Sequence, residues 1–148
     1  MTRCWRLYSV VMDTAGLVDK LREALAARAE SEGLAAAWLF GSVARGTARP
    51  DSDVDVGILY AENPPGTLVG IGRTFGLEED LSEALAAPVQ VVNLNAASPD
   101  LIIRVLRDGK LLIDRDPLRR SHFEVRSRNE FWDLEPYLRL YRGQATPR

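Results

Sequence analysis

Asp53 and Asp55, one residue apart, open an apolar run that ends at Tyr60, and a little earlier in the chain Gly41-Ser42 follows a second apolar run, Leu34 to Phe40. In an extended chain residues two apart project to the same face, so the two carboxylates share one space and can hold one or two hard divalent cations through oxygen. A glycine lets backbone approach an anion closely, and the N–H groups and hydroxyl around Ser42, at the start of a helical turn, can hydrogen-bond phosphate oxygens. Carboxylates for a cation beside a cradle for phosphate are what phosphoryl or nucleotidyl transfer requires. Arg45 and Arg49 lie in the connection and can neutralise a triphosphate; on a plainer reading each is an exposed loop arginine.

Other motifs compete for the same segment and fit it less well. A phosphate loop has its glycine spacing in Gly41 and Gly46, but Thr47 and Ala48 follow where lysine and a hydroxyl residue are required. A calcium loop is matched by Asp51, Asp53, Asp55, Ile58 and Glu62, yet its turn glycine falls one place late at Gly57, and Val54 to Tyr60 has the composition of a strand. Gly70, Gly72 and Gly76 approximate a dinucleotide fingerprint, with the last spacing too long and no strand directly before them.

The elements that must position these residues follow from periodicity. Asp13 to Gly33 reads as an amphipathic helix, with Asp13 or Thr14 as N-cap, leucines at 17, 21 and 25, and Gly33 after the last turn. Leu34 to Phe40 and Asp55 to Tyr60 read as strands joined by a turn-rich connection with room for one helical turn. Asn63 to Gly66 is a loop, and Leu68 to Ala87 a weaker helix interrupted by Gly70, Gly72 and Gly76. Pro88 to Leu94 is a strand. Ser98-Pro99 opens a helix that Gly109 closes, Lys110 to Asp114 is a fourth strand, and a last helix runs from about residue 118 to about Tyr141, bent at Pro136. This is an α/β (α+β) order with a small mixed sheet flanked by helices, in a single domain over residues 13–148 behind a poorly constrained segment, residues 1–12, in which Met12 is an alternative start.

Composition narrows the function classes. The chain has 148 residues, 46% of them apolar and 27% charged, which is ordinary for a globular protein. One cysteine, Cys4, excludes an internal disulfide, and one histidine, His122, excludes a histidine-rich zinc centre. His122 is far in sequence from the aspartates and reads as a surface or capping residue. No apolar stretch approaches a membrane span, so a cytoplasmic location without membrane association is expected. Residues 1–100 carry 8 basic and 14 acidic side chains and residues 101–148 carry 11 and 7, a split that suggests a basic C-terminal face or simply a solvated helix rich in arginine.

The segment GSVARGTARPDSDVDVGIL closely resembles the G-S-x-x-R-G…S-D-x-D signature of the minimal nucleotidyltransferases, small members of the DNA polymerase beta-like superfamily. The resemblance implies a nucleotidyltransferase fold that carries Mg²⁺ and ATP. By the motif match Gly41, Ser42 and Arg45 bind the nucleotide, and Asp53 and Asp55 are catalytic and hold the metal. It further implies an antitoxin that transfers AMP to a hydroxyl, a tyrosine, of a partner HEPN ribonuclease toxin in a hetero-oligomer, with no direct nucleic-acid binding. The superfamily usually supplies a third carboxylate from a later strand, and here that position reads Gln90, which has no charge to hold a second cation or take a proton; Asn93 and Asn95 do not restore it. Two alternatives follow: an antitoxin that neutralises its toxin by binding alone, with Phe123, Phe131, Trp132, Tyr137 and Tyr141 of the last helix as contact or core residues, or a small-molecule adenylyltransferase.

Overall fold

The computed structural model describes residues 14–49, 51–63 and 67–144. The expectations for residues 1–12, the Asp13 cap and the loop at 64–66 lie outside them. Helix α1 (Thr14–Glu32) leads into β1 (Leu34–Phe40), a single turn of helix α2 (Gly41–Arg45) and β2 (Val54–Tyr60). Then come α3 (Thr67–Leu85), β3 (Val89–Asn93), α4 (Pro99–Asp108), β4 (Lys110–Asp114) and α5 (Pro117–Gln144).

The four strands form one mixed sheet in the order β3-β2-β1-β4, with β1 antiparallel to β2 and β4, and β2 parallel to β3. Every residue of β1 is buried, as befits a central strand covered on both faces and explains a run with no polar side chain. On one face α1 and α3 cover Leu39, Val54, Val56, Ile58, Val89 and Val91. On the other, Trp38, Phe40 and Leu59 pack with Ile102 and Val105 of α4 and Phe123 of α5, and the Trp38 and Phe123 ring centroids lie 6.3 Å apart.

Helix α1 buries Leu17, Leu21 and Leu25, the stripe read from the sequence, together with Ala29 one turn further on, and Gly33 ends it at φ +66°. Ser98 caps α4 by accepting from Leu101 N–H, ahead of Pro99. One expectation needs correction. Helix α3 is not interrupted: Gly70, Gly72 and Gly76 all lie within it, because burial of Leu77, Leu81 and Leu85 outweighs the low helix propensity of glycine. Helix α5 contains Pro136 and runs on to Gln144, slightly past the expected end near Tyr141.

Side chains from the helices close both edges of the sheet. On β3, Val89 N–H donates to Ser82 Oγ at 3.1 Å and Val91 N–H to Glu78 Oε2 at 2.9 Å. On β4, Leu112 C=O accepts from Arg22 Nε at 2.9 Å. No helix among the described residues is long and apolar enough to cross a membrane.

Candidate active site at the end of the sheet

The antiparallel pairing of β1 with β2 places Phe40 opposite Asp55, so the turn that leaves β1 begins beside the first carboxylate of β2. Strand β2 alternates: Val54, Val56 and Ile58 enter the core under α1 and α3, which sends Asp53, Asp55 and Gly57 to the α4/α5 face. There Gly57 admits Leu94, whose side-chain atoms come within 3.1 to 3.3 Å of where a Cβ would stand. Asp53 is exposed and Asp55 half-buried. The turn before them is tight: Arg49 N–H donates to Ser52 Oγ at 2.8 Å, and Ser52 N–H to Arg49 C=O at 2.9 Å.

Gly41 sets the geometry on the other side. Its φ is +76°, a conformation that L side chains resist, and a Cβ built there overlaps the Asp55 carboxylate oxygen and lies 3.1 Å from its Cγ. The glycine expected to admit an anion therefore first makes room for Asp55. No side chain caps the start of α2, where Ser42 follows, and Thr47 N–H closes the turn onto Ser42 C=O at 2.9 Å. Gly46, at φ +74°, ends α2 with open space around it.

Burial pushes the Asp55 carboxyl above the usual carboxylate range, the neighbouring Asp53 charge pushes it the same way, and Arg45 partly opposes both. Arg45 also acts on Asp108 at the end of α4, a neighbour across the fold that no local motif announces. Neither aspartate of the pair forms a salt bridge among the described residues. Two carboxylates on one face, one of them disfavoured as an anion, suit a hard divalent cation, which would relieve their repulsion.

Strand β3 brings Gln90 opposite Asp55 in parallel register. Gln90 is exposed and shares the Asp55 face, whereas Val89 and Val91 turn into the core. The residue beside Asp55 on the later strand is therefore an amide. Among the described residues no group of three histidine, cysteine or acidic side chains is placed to hold a metal. Asn93 and Asn95 serve the fold: Asn93 Oδ1 accepts from Asn95 N–H, and the Asn95 amide bonds both the N–H and the C=O of Tyr60.

Gly41, Ser42, Asp53, Asp55 and Gln90 thus converge at one end of the sheet, with Arg45 near Asp55. Arg49 contributes backbone to the turn, and His122 is exposed on α5. The arginine-rich C-terminal region is largely self-neutralised by pairs such as Arg104–Asp100, Arg120–Glu124, Arg126–Glu130 and Arg139–Glu135. Phe123 is buried and Phe131 half-buried, while Trp132, Tyr137 and Tyr141 are exposed. What local sequence could not signal was the capping of β3 by Glu78 and Ser82, which fixes the strand that presents Gln90.

A small mixed sheet with a glycine–serine turn leaving one strand and an aspartate pair opening the next is the arrangement of a nucleotidyltransferase. The chain belongs to the Polymerase beta, Nucleotidyltransferase family, which matches residues 20–118; this family generally uses a divalent metal ion and ATP. Among its relatives is the protein adenylyltransferase MntA of Shewanella oneidensis, 39% identical over 75 residues that make up 51% of this chain and 50% of the relative. The chain therefore spans about half the length of the curated relative it matches. A solved structure assigned as a minimal nucleotidyltransferase is 34% identical over 68% of this chain and 97% of its own, with a TM-score of 0.54. The tri-AMPylated Shewanella oneidensis HEPN toxin in complex with its MNT antitoxin contains a chain of the same fold, with TM-score 0.67 and 20% identity over 86% of this chain and 97% of that one.

Proposed function

We propose that this protein is a cytoplasmic, Mg²⁺-dependent adenylyltransferase that acts as the antitoxin of a HEPN ribonuclease, moving AMP from ATP onto a tyrosine hydroxyl of that partner. The observation that carries the reading is the contact between the Gly41 turn and Asp55, since a turn suited to phosphate beside two carboxylates suited to a cation supports transfer from a metal-bound nucleotide. The likeness to MntA and to an antitoxin chain in complex with an AMPylated HEPN toxin supports the choice of acceptor and partner.

In this reading Asp53 and Asp55 hold the cation, and the turn at Gly41 and Ser42 holds the triphosphate by backbone N–H groups and the Ser42 hydroxyl. Bound there, Mg²⁺ would neutralise charge on the phosphates as pyrophosphate leaves. Arg45 adds positive charge at the same end. The acceptor oxygen bonds to the α-phosphorus as the α–β phosphoanhydride bond breaks, and the hydroxyl proton is lost to solvent.

One observation favours a second reading: Gln90 offers no charge where Asp55 faces it, which suits an antitoxin that masks its partner by binding alone. Intact-mass spectrometry of the HEPN partner after incubation with this protein, ATP and Mg²⁺ separates the two. Addition of AMP units, absent with Asp53→Asn/Asp55→Asn, establishes transfer. An unmodified partner held in complex with its ribonuclease suppressed establishes the second reading, and a partner neither modified nor bound overturns both.

A further inference from the structure

We infer that the site holds a single divalent cation, the one that enters with the nucleotide, and that Gln90 is the residue that keeps a second one out. The inference rests on the reading of Asp53 and Asp55 as the cation-binding pair.

Register carries the argument. Asp55 is flanked on the β1 side by the Gly41 turn and on the β3 side by Gln90, and both side chains of the Asp55–Gln90 pair lie on the α4/α5 face. A second cation beside the first needs its own anionic oxygen at this row, because two divalent ions repel with roughly four times the energy of two unit charges at the same separation. The two carboxylates balance one divalent ion, and the triphosphate oxygens that would also reach this row are engaged by that same ion, so a second one depends on a further protein anion. The Gln90 carbonyl oxygen can ligate, but it brings no charge to offset the added repulsion.

No other described acid takes its place. Glu78, on the helix packed against β3, is bound to Val91 N–H, whose side chain enters the opposite face of the sheet. Asp108 is paired with Arg107 in a two-pronged hydrogen bond. Asn93 and Asn95 are neutral and occupied with backbone. The site is therefore matched to a metal–nucleotide of one metal, with the acceptor hydroxyl left without a second cation to lower its pKa.

Equilibrium dialysis of Mn²⁺ against the full chain, with a non-hydrolysable ATP analogue at saturation, reads the number of ions retained per protein. The expected result is one for the wild type, two for Gln90→Asp and one for the isosteric control Gln90→Asn. Gln90 is exposed, so both variants fold, which circular dichroism checks. Two ions on the wild type, or one on Gln90→Asp, overturns the inference while leaving the cation-site reading intact. Retention of neither Mn²⁺ nor nucleotide by the wild type overturns that reading itself.

Discussion

Replacing Gly41 with alanine tests whether the turn and the carboxylate form one unit. Gly46 supplies the control: the two glycines have nearly the same φ, +76° and +74°, but a Cβ at Gly46 meets nothing within 4 Å while one at Gly41 overlaps the Asp55 carboxylate. Holding alanine in the left-handed region costs about 1–2 kcal/mol, offset by about 0.4–1 kcal/mol from a stiffer unfolded chain. Gly46→Ala should therefore destabilise by about 1 kcal/mol, or roughly 3 °C in Tm. Gly41→Ala must also turn Asp55 away from its rotamer, adding roughly 1 kcal/mol and about doubling the fall in Tm. In an Asp55→Ala background the overlap is gone, and the cost of Gly41→Ala should shrink to that of Gly46→Ala, a coupling of about 1 kcal/mol. Metal-dependent nucleotide binding, read by calorimetry, should be unchanged in Gly46→Ala and weakened about tenfold or more in Gly41→Ala, a loss of about 1.4 kcal/mol. Equal costs of Gly41→Ala in both backgrounds, or full nucleotide affinity in Gly41→Ala, would refute the argument.

Three further outcomes are expected. Because Asp55 binds its proton more tightly in the folded chain, its contribution to the stability of the metal-free protein should fall as pH rises from the ordinary carboxylate range through the raised Asp55 value, then level off. Asp55→Asn should flatten that slope and be at least as stable as the wild type near neutral pH; urea titrations across pH would show the opposite trend if the carboxylate were stabilising. Ser98→Ala, which removes the side-chain cap of α4, should cost about 1 kcal/mol in denaturant unfolding without altering nucleotide binding. Phe123→Ala, which empties the contact with Trp38, should cost about 3–5 kcal/mol and open α5 to limited proteolysis; protection equal to the wild type would show that α5 is held by other contacts.

The elements of this fold are legible in the sequence where pattern and punctuation agree. The leucine stripe of α1, the Ser98-Pro99 start of α4 and the all-apolar β1 each carry a local signal that tertiary structure reinforces. Helix α3 is harder to read because three glycines argue against it, and its stability comes from leucines whose partners lie on strands elsewhere in the chain. The convergence of Gly41, Ser42, Asp53 and Asp55 follows from spacing, since a short connection between antiparallel strands brings their ends together. Two facts about the site were not legible: that Gly41 is required by Asp55 rather than by an anion alone, and that the charge of Arg45 acts on both Asp55 and Asp108. Both depend on distances across strands and helices, which periodicity does not encode.

A β-sheet is in principle an open polymer, able to add strands wherever an edge offers unpaired main-chain groups. Here growth is terminated at both ends, by Ser82 and Glu78 on β3 and by Arg22 on β4. Any association with another chain is thereby left to side chains, and α5 exposes three large aromatic ones, Trp132, Tyr137 and Tyr141. An association made that way needs no search for strand register. Its lifetime can be tuned one residue at a time, and it can end without this sheet losing a hydrogen bond.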